Sequence, residues 1–290
     1  MRGKLYIVAT PIGNLGDITS RAVEILRGCD IIAAENTQNS LKLLNKFEIR
    51  AKLVPNHKFN EQSICDYFLR ELLSGKNIAL ISDAGTPCIS DPGSLLVRKA
   101  VENNITVEGV PGACAAVTAL SISGFDARTF SFLGFFPRET GEIKKLLQDL
   151  KTPGIYIFYE SPKRIIKTLE AFAENLSSDL MEAQVCLCND LTKKFERVYR
   201  GTPESILPEL LANTAADKGE YTIILEITGA PLPLRPTPEI SPEAILVDIM
   251  LKQGCTLKAA VKIAAAEYNK NELYDASLNL KKFITSIFSK

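Results

Sequence analysis

The stretch Leu5-Tyr6-Ile7-Val8-Ala9-Thr10-Pro11-Ile12-Gly13-Asn14-Leu15-Gly16-Asp17 decides the class of fold. Residues 5–9 are short, apolar and rich in β-branched side chains, the composition of a buried strand. The run stops at Thr10-Pro11, and small, turn-forming residues follow before 18–26 takes up helical spacing. A strand leading through such a loop into a helix opens a parallel α/β unit, where ligands bind at the carboxyl ends of strands. The loop lacks GxGxxG spacing, and no GxxxxGK[ST] occurs in the chain, so neither a nicotinamide enzyme nor a P-loop NTPase is expected. On its own the loop is equally compatible with a plain turn.

Further along, 31–34 and 78–81 are strand-like, 40–47 and 95–101 are helical, and 106–110 closes the series. Asp91-Pro92 precedes the helix at 95, with Asp as a capping candidate and Pro suited to a first turn. Two more small-residue loops follow strands: Ser82-Asp83-Ala84-Gly85-Thr86-Pro87 and Val110-Pro111-Gly112-Ala113-Cys114-Ala115-Ala116. Small side chains let a ligand approach the backbone closely. Asp83 could attract a cation or accept from a hydroxyl or amino group. Three such loops at three strand ends predict one crevice for a small molecule.

The style changes after this first half. An aromatic run at 130–136 ends at Pro137. Strands are expected at 154–159, 183–188, 195–199 and 221–227, with a helix at 164–172. The reading is an α/β chain with a first α/β domain at 1–118 and a second at 119–228. Five prolines between Pro231 and Pro242 favour an extended linker at 229–241. Residues 242–290 form a small helical domain: Ser241-Pro242-Glu243 opens a helix, Gly254 breaks it, Thr256 starts a second, and Asn269 precedes a third.

Lysine plus arginine and aspartate plus glutamate both number 34, so total charge points to no nucleic-acid partner. Residues 251–290 do carry a local excess of four positive charges, which is either a phosphate-facing patch or a solvated helix face. The seven cysteines include no CxxC pair. Cys186 and Cys188 share one face of a strand, which fits reduced, buried thiols. With His57 the only histidine, no metal site is expected. No signal-peptide core and no apolar run of membrane-spanning length is present, so a cytoplasmic protein is expected.

Several motifs, in order, resemble a known family. The opening stretch from Leu5 to Thr19, the segment from Ser82 to Gly93 and Pro111-Gly112 are similar to signatures of the bacterial 16S rRNA cytidine 2'-O-methyltransferases, within the tetrapyrrole-methylase superfamily. So are Gly134-Phe135-Phe136-Pro137-Arg138, Phe158-Tyr159-Glu160-Ser161-Pro162 and Leu191-Thr192-Lys193. In the tail, Thr256-Leu257-Lys258-Ala259-Ala260 and Glu272-Leu273-Tyr274 resemble the family's helical C-terminal domain. Three places depart from the pattern: Glu35-Asn36-Thr37-Gln38, Asn189-Asp190, and His57-Lys58-Phe59-Asn60, where a second histidine is usual.

The resemblance implies two α/β domains with S-adenosylmethionine in the cleft between them, a homodimer, and 16S rRNA of the 30S subunit as substrate, methylated in its decoding region. Carried over by motif, the cofactor lies along Pro11, Gly85, Thr86, Ile89, Cys114, Ala115, Tyr159, Glu160 and Gly219-Glu220, with Asp83 beside it. Arg138, Lys163, Arg164 and Lys193 are candidates for phosphate contacts that position the RNA. The ribose hydroxyl must lose a proton, and Glu160 and Asp190 are the foremost candidates to take it, with Glu35 and His57 behind them. Glu160 could instead hold cofactor or cap the following helix. Two alternatives remain: a methyltransferase acting on a tetrapyrrole or other small molecule, and a noncatalytic RNA-binding assembly factor.

Overall fold

The computed structural model describes residues 2–150, 152–176, 181–229, 241–265 and 268–288. It divides into two compact units, Met1–Ala230 and Pro231–Lys290.

The first half of the larger unit alternates strictly. Its elements are β1 (Leu5–Val8), α1 (Ser20–Gly28), β2 (Ile31–Ala34), α2 (Thr37–Lys46), β3 (Lys52–Pro55), α3 (Glu61–Leu73), β4 (Ile78–Ile81), α4 (Ser94–Glu102) and β5 (Val107–Val110). The strands form one parallel sheet in the order β3-β2-β4-β1-β5. β2 and β4 are buried along their whole length, because helices cover both faces of the sheet. The helices start where short polar side chains can satisfy free amides. Thr19 accepts from the Ala22 N–H, and Asn36 accepts from the Gln38 and Asn39 N–H groups.

The second half runs α5 (Ala115–Ser121), β6 (Ser131–Phe135), α6 (Thr140–Asp149), β7 (Gly154–Glu160), α7 (Ile165–Leu176), β8 (Met181–Asn189), β9 (Arg197–Gly201), α8 (Pro203–Ala212) and β10 (Tyr221–Gly229). Its sheet has the order β6-β7-β10-β8-β9. Only β6 and β7 are parallel; the other pairs are antiparallel. One face packs on α7 and α8 through Phe136, Phe158 and Phe172, whose rings lie 5.4–6.1 Å apart. Aromatic pairs in that range contribute about 0.5–1.5 kcal/mol each beyond area burial. The other face receives α5. Ala116 and Ala119 pack with Ile157, Cys186, Cys188 and Ile224. A division at 118/119 therefore passes through a helix, and the change from one sheet to the other precedes Ala115. The Cys186 and Cys188 sulfurs share a face, 3.9 Å apart and buried.

The smaller unit contains α9 (Pro242–Gln253), α10 (Leu257–Ala264) and α11 (Lys270–Phe288). Ser241 caps the first helix, left-handed Gly254 ends it, and Thr256 caps the second. Leu246, Ala260, Ala264, Leu273 and Ala276 form its own core. The proline-rich linker expected at 229–241 lies, apart from its two ends, outside the described residues. Among the described residues no helix is long and apolar enough to cross a membrane.

Candidate active site

The three small-residue loops lie together because they are bonded to one another. The Thr10 N–H donates to the Gly85 carbonyl (2.8 Å), and the Gly85 N–H donates back to Thr10 (3.0 Å). The Thr86 hydroxyl donates to the Ala113 carbonyl at 3.2 Å. Loops after β1, β4 and β5 thus form one rim at the carboxyl ends of the parallel sheet. Two glycines are required. Gly85 sits at φ 77°, a left-handed conformation that other residues enter at a cost. A Cβ on Gly112 would come within 2.9 Å of the Ala9 methyl, so a larger residue would push two loops apart.

Facing this rim, the ends of β6, β7, β8 and β10 complete a cavity of about 390 Å³. That is the size range of small-molecule sites. Its apolar wall includes Ile12, Ile89, Phe135, Tyr159 and Leu191. Tyr159 is braced edge-on by Phe132 and Phe135, at 5.0 and 5.7 Å. Its charged lining is entirely acidic: Glu35, Asp83, Asp91, Glu160 and Glu220, with no lysine, arginine or histidine.

These acids are not equivalent. Burial raises the Glu35 carboxyl above its ordinary value, and the Asp91 and Asp83 charges add to this. One Glu35 oxygen accepts from the Asp83 N–H at 3.3 Å. Asp91 is likewise raised by burial and by Asp83, opposed by a bond to Ser82. Asp83 accepts from the Asn39 amide at 2.8 Å. Glu160 is different: its side chain has no exposure. Its oxygens accept from the Ser161 N–H (2.7 Å) and the Thr168 hydroxyl (2.8 Å), and Arg164 pairs with it at 3.3 Å. Burial pushes the Tyr159 phenol up to about 12, so it stays protonated at neutral pH.

Of the residues expected at the site, Asp83, Gly85, Thr86, Ile89, Cys114, Ala115, Tyr159 and Glu160 line the cavity. Pro11 is buried beside cavity-lining Ile12, and Gly219 precedes cavity-lining Glu220. The carboxylate of Asp190 does not reach the wall. It accepts from the Lys193 ammonium (2.8 Å) and the Glu220 N–H (3.3 Å), and it fills the space a Gly219 side chain would need. Lys193 also binds Glu220 at 2.8 Å, so this lysine is held by two carboxylates. Arg164 donates to the Phe136 and Pro137 carbonyls as well as pairing with Glu160, and is engaged within the fold. Arg138 and Lys163 are exposed. His57 lies off the cavity, its Nδ1 enclosed without a partner.

Asp91 does not cap α4. Gly93 occupies the cap position, and Glu61 of α3 supplies the acceptor, taking the Gly93 N–H at 2.7 Å and the Leu95 N–H at 3.3 Å. Asp91 is thereby free to line the cavity. Thr222, which no local sequence signal marks, enters the wall from the start of β10.

A parallel sheet whose stitched loops meet a mixed sheet across an acidic, partly apolar cavity defines a two-sheet α/β protein with a small-molecule-sized cavity at its strand ends. The chain belongs to the tetrapyrrole methylase family, whose model, described as Tetrapyrrole (Corrin/Porphyrin) Methylases, matches residues 4–207. A relative from Haemophilus influenzae, "Ribosomal RNA small subunit methyltransferase I", is 41% identical over 281 residues, 96% of this chain and 97% of its own. A relative of the same name from Mycoplasmopsis pulmonis is 44% identical over 227 residues, 78% of this chain but 99% of its own. The fold is shared with a uroporphyrin-III C-methyltransferase from Thermus thermophilus, solved in complex with S-adenyl homocysteine. That match has a TM-score of 0.54 at 14% identity and covers 77% of this chain and 97% of that one. The chain is an S-adenosylmethionine-dependent methyltransferase, as the motifs imply.

The residues present fit that cofactor. An apolar wall with a braced tyrosine suits a flat base, and Glu35, Asp83 and Asp91, which have no ion-pair partner among the described residues, suit a sulfonium. Glu35 and Asp91 favour a cation only when ionised, and both are raised. Affinity for S-adenosylmethionine is therefore full above their raised values and falls as pH drops through them, starting above the ordinary carboxylate range of about 4. Calorimetric titration across this range is expected to show the decline, with a flatter profile for Asp91→Asn. A flat wild-type profile would remove these carboxylates from the cofactor's charge.

Proposed function

We propose that this chain transfers a methyl group to the ribose 2'-hydroxyl of a cytidine in 16S rRNA, acting on the 30S subunit, as a homodimer, in the cytoplasm. The observation that carries the proposal is the acidic cavity at the strand ends, in a chain whose full-length relatives bear the name of a small-subunit rRNA methyltransferase. S-adenosylmethionine held there supplies a methyl group on a positively charged sulfur. The residues of the chain align the acceptor oxygen with that carbon, and alignment alone can contribute several kcal/mol. Gly85, Thr86, Ala115 and Tyr159 hold the cofactor on bonded loops that do not yield. Glu35 and Asp91 line the cavity and are both raised above the ordinary carboxylate value by burial, which makes them the cavity carboxylates to test for taking the ribose proton. Glu160 and Asp190 act as positioning residues, one fixing the turn from β7 into α7, the other fixing the turn after β8. Arg138 and Lys163, exposed on the second half, meet phosphates.

The test is methyl transfer to 30S subunits, free 16S rRNA and a tetrapyrrole, side by side. Transfer to 30S subunits supports the proposal, and transfer to free 16S rRNA alone overturns the assembled subunit as substrate. Transfer only to the tetrapyrrole overturns the substrate, and cofactor binding without transfer to any acceptor makes the chain a scaffold. Truncation adds a second arm. Unit 1–230 has its own cores, and the Mycoplasmopsis relative is of similar length. Removing 231–290 is expected to preserve cofactor affinity while weakening RNA binding and reducing its salt dependence, since the tail's excess positive charge would no longer neutralise phosphates. An unchanged salt slope would make the tail a solvated face.

A further inference from the structure

Phe195 is 73% exposed, yet the turn that carries it is firmly held. Asp190 and Thr192 both adopt left-handed conformations, at φ 52° and 66°. The Lys193 N–H donates to the Asp190 carbonyl (3.0 Å), and the Glu196 N–H donates to Lys193 (3.1 Å). The Glu196 carboxylate accepts from the Thr192 N–H at 2.6 Å, and the Lys193 ammonium bridges Asp190 and Glu220. Within this turn Leu191 lines the cofactor cavity. Four residues on, Phe195 projects into solvent with the Lys194 ammonium 5.4 Å from its ring centroid. No ion pair among the described residues involves Lys194 or the neighbouring Arg197.

A single exposed apolar side chain is ordinary on a protein surface. Three features set this one apart: a hydrogen-bonded carrier, a cation against the ring, and a place in the same turn as Leu191, which lines the cavity. Sequence-independent binding of single-stranded nucleic acid combines an aromatic face for a base with a nearby cation for the phosphate. We infer that Phe195 is a stacking platform for an unpaired nucleobase next to the target nucleotide, with Lys194 and Arg197 meeting the adjoining phosphates. This rests on the RNA reading above. Stacking there adds binding energy beside the cavity and leaves alignment of the reacting ribose to the cavity's own residues, so its loss falls on KM.

The chain contains no tryptophan, so Phe195→Trp introduces a single emitter at the proposed contact. Its fluorescence is expected to be quenched on titration with 30S subunits or rRNA, with KM near wild type. Phe195→Ala is expected to raise KM for the RNA about tenfold or more, with kcat and S-adenosylmethionine affinity nearly unchanged. Phe195→Leu keeps apolar area but lacks a π face and should resemble Ala. A wild-type KM in Phe195→Ala, a Leu variant as good as wild type, or unquenched tryptophan at saturating RNA would each overturn the assignment. Dissociation of a dimer on Phe195→Ala, read by sedimentation, would make this a protein contact and overturn it also. If the wild-type chain methylates no rRNA, the underlying reading fails and the platform with it. If wild type methylates rRNA and the variants match it, only the platform fails.

Discussion

Thr86→Trp is expected to weaken S-adenosylmethionine binding at least ~100-fold, or ~2.8 kcal/mol, in a chain that remains folded. Thr86 lies in the wall of a cavity of about 390 Å³. Its backbone follows Gly85, whose mutual hydrogen bonds with Thr10 fix the loop, so the wall cannot retreat from an indole. The ring must occupy the cavity or be forced into solvent. The fold itself loses one hydroxyl-to-carbonyl bond to Ala113, which is about 1 kcal/mol. Calorimetry and a thermal melt separate the two effects, and Thr86→Ser retains the hydroxyl as a control. Undiminished affinity in folded Thr86→Trp would take this loop out of the cofactor site.

Glu160→Gln is expected to act on stability and hardly on chemistry. All three groups facing the carboxylate are donors: the Ser161 N–H, the Thr168 hydroxyl and the Arg164 guanidinium. An amide nitrogen in either position meets a donor. The hydroxyl of Thr168 can turn away, but Arg164 then keeps its charge without a counter-ion. Removing one member of a buried pair costs about 3–5 kcal/mol, and the isosteric amide should cost somewhat less, roughly 2–4 kcal/mol. Urea denaturation measures that loss. The single-turnover rate of folded enzyme at saturating cofactor and subunits should stay within about threefold of wild type. Loss of a general base would instead lower it about 10²–10⁴-fold. A large rate loss with unchanged stability would therefore reverse the assignment of Glu160 from positioning to proton transfer.

The parallel half of the fold was legible because its strands are short β-branched runs ending in small residues, a local signal. Lateral strand order was not, since β1 and β2 are separated by β4, which arrives 44 residues after β2 ends. β3 escaped reading because it is an edge strand that begins with an exposed lysine and ends in proline. At the cavity, the three small-residue loops stand out in composition, while the contacts of charged residues depend on distant partners. Glu61 takes the cap that local spacing offered to Asp91. Glu220 completes the capture of Lys193 from 27 residues away. Glu160 stands beside a family motif, but its enclosure by Thr168 and Arg164 appears only when α7 folds back over β7. Burial and pairing are properties of the assembled chain, which is why local sequence marks the small-residue loops of the cavity but not the partners of its carboxylates.

Locating the transferred methyl group distinguishes ribose methylation of rRNA from every alternative acceptor. 30S subunits lacking the modification are incubated with the protein and methyl-labelled S-adenosylmethionine, and their 16S rRNA is digested to nucleosides. Label is expected in 2'-O-methylcytidine, with a matching alkali-resistant dinucleotide, because a methylated 2'-oxygen can no longer attack the neighbouring phosphate. Label on a base, or label that enters a tetrapyrrole and never enters rRNA, would contradict it.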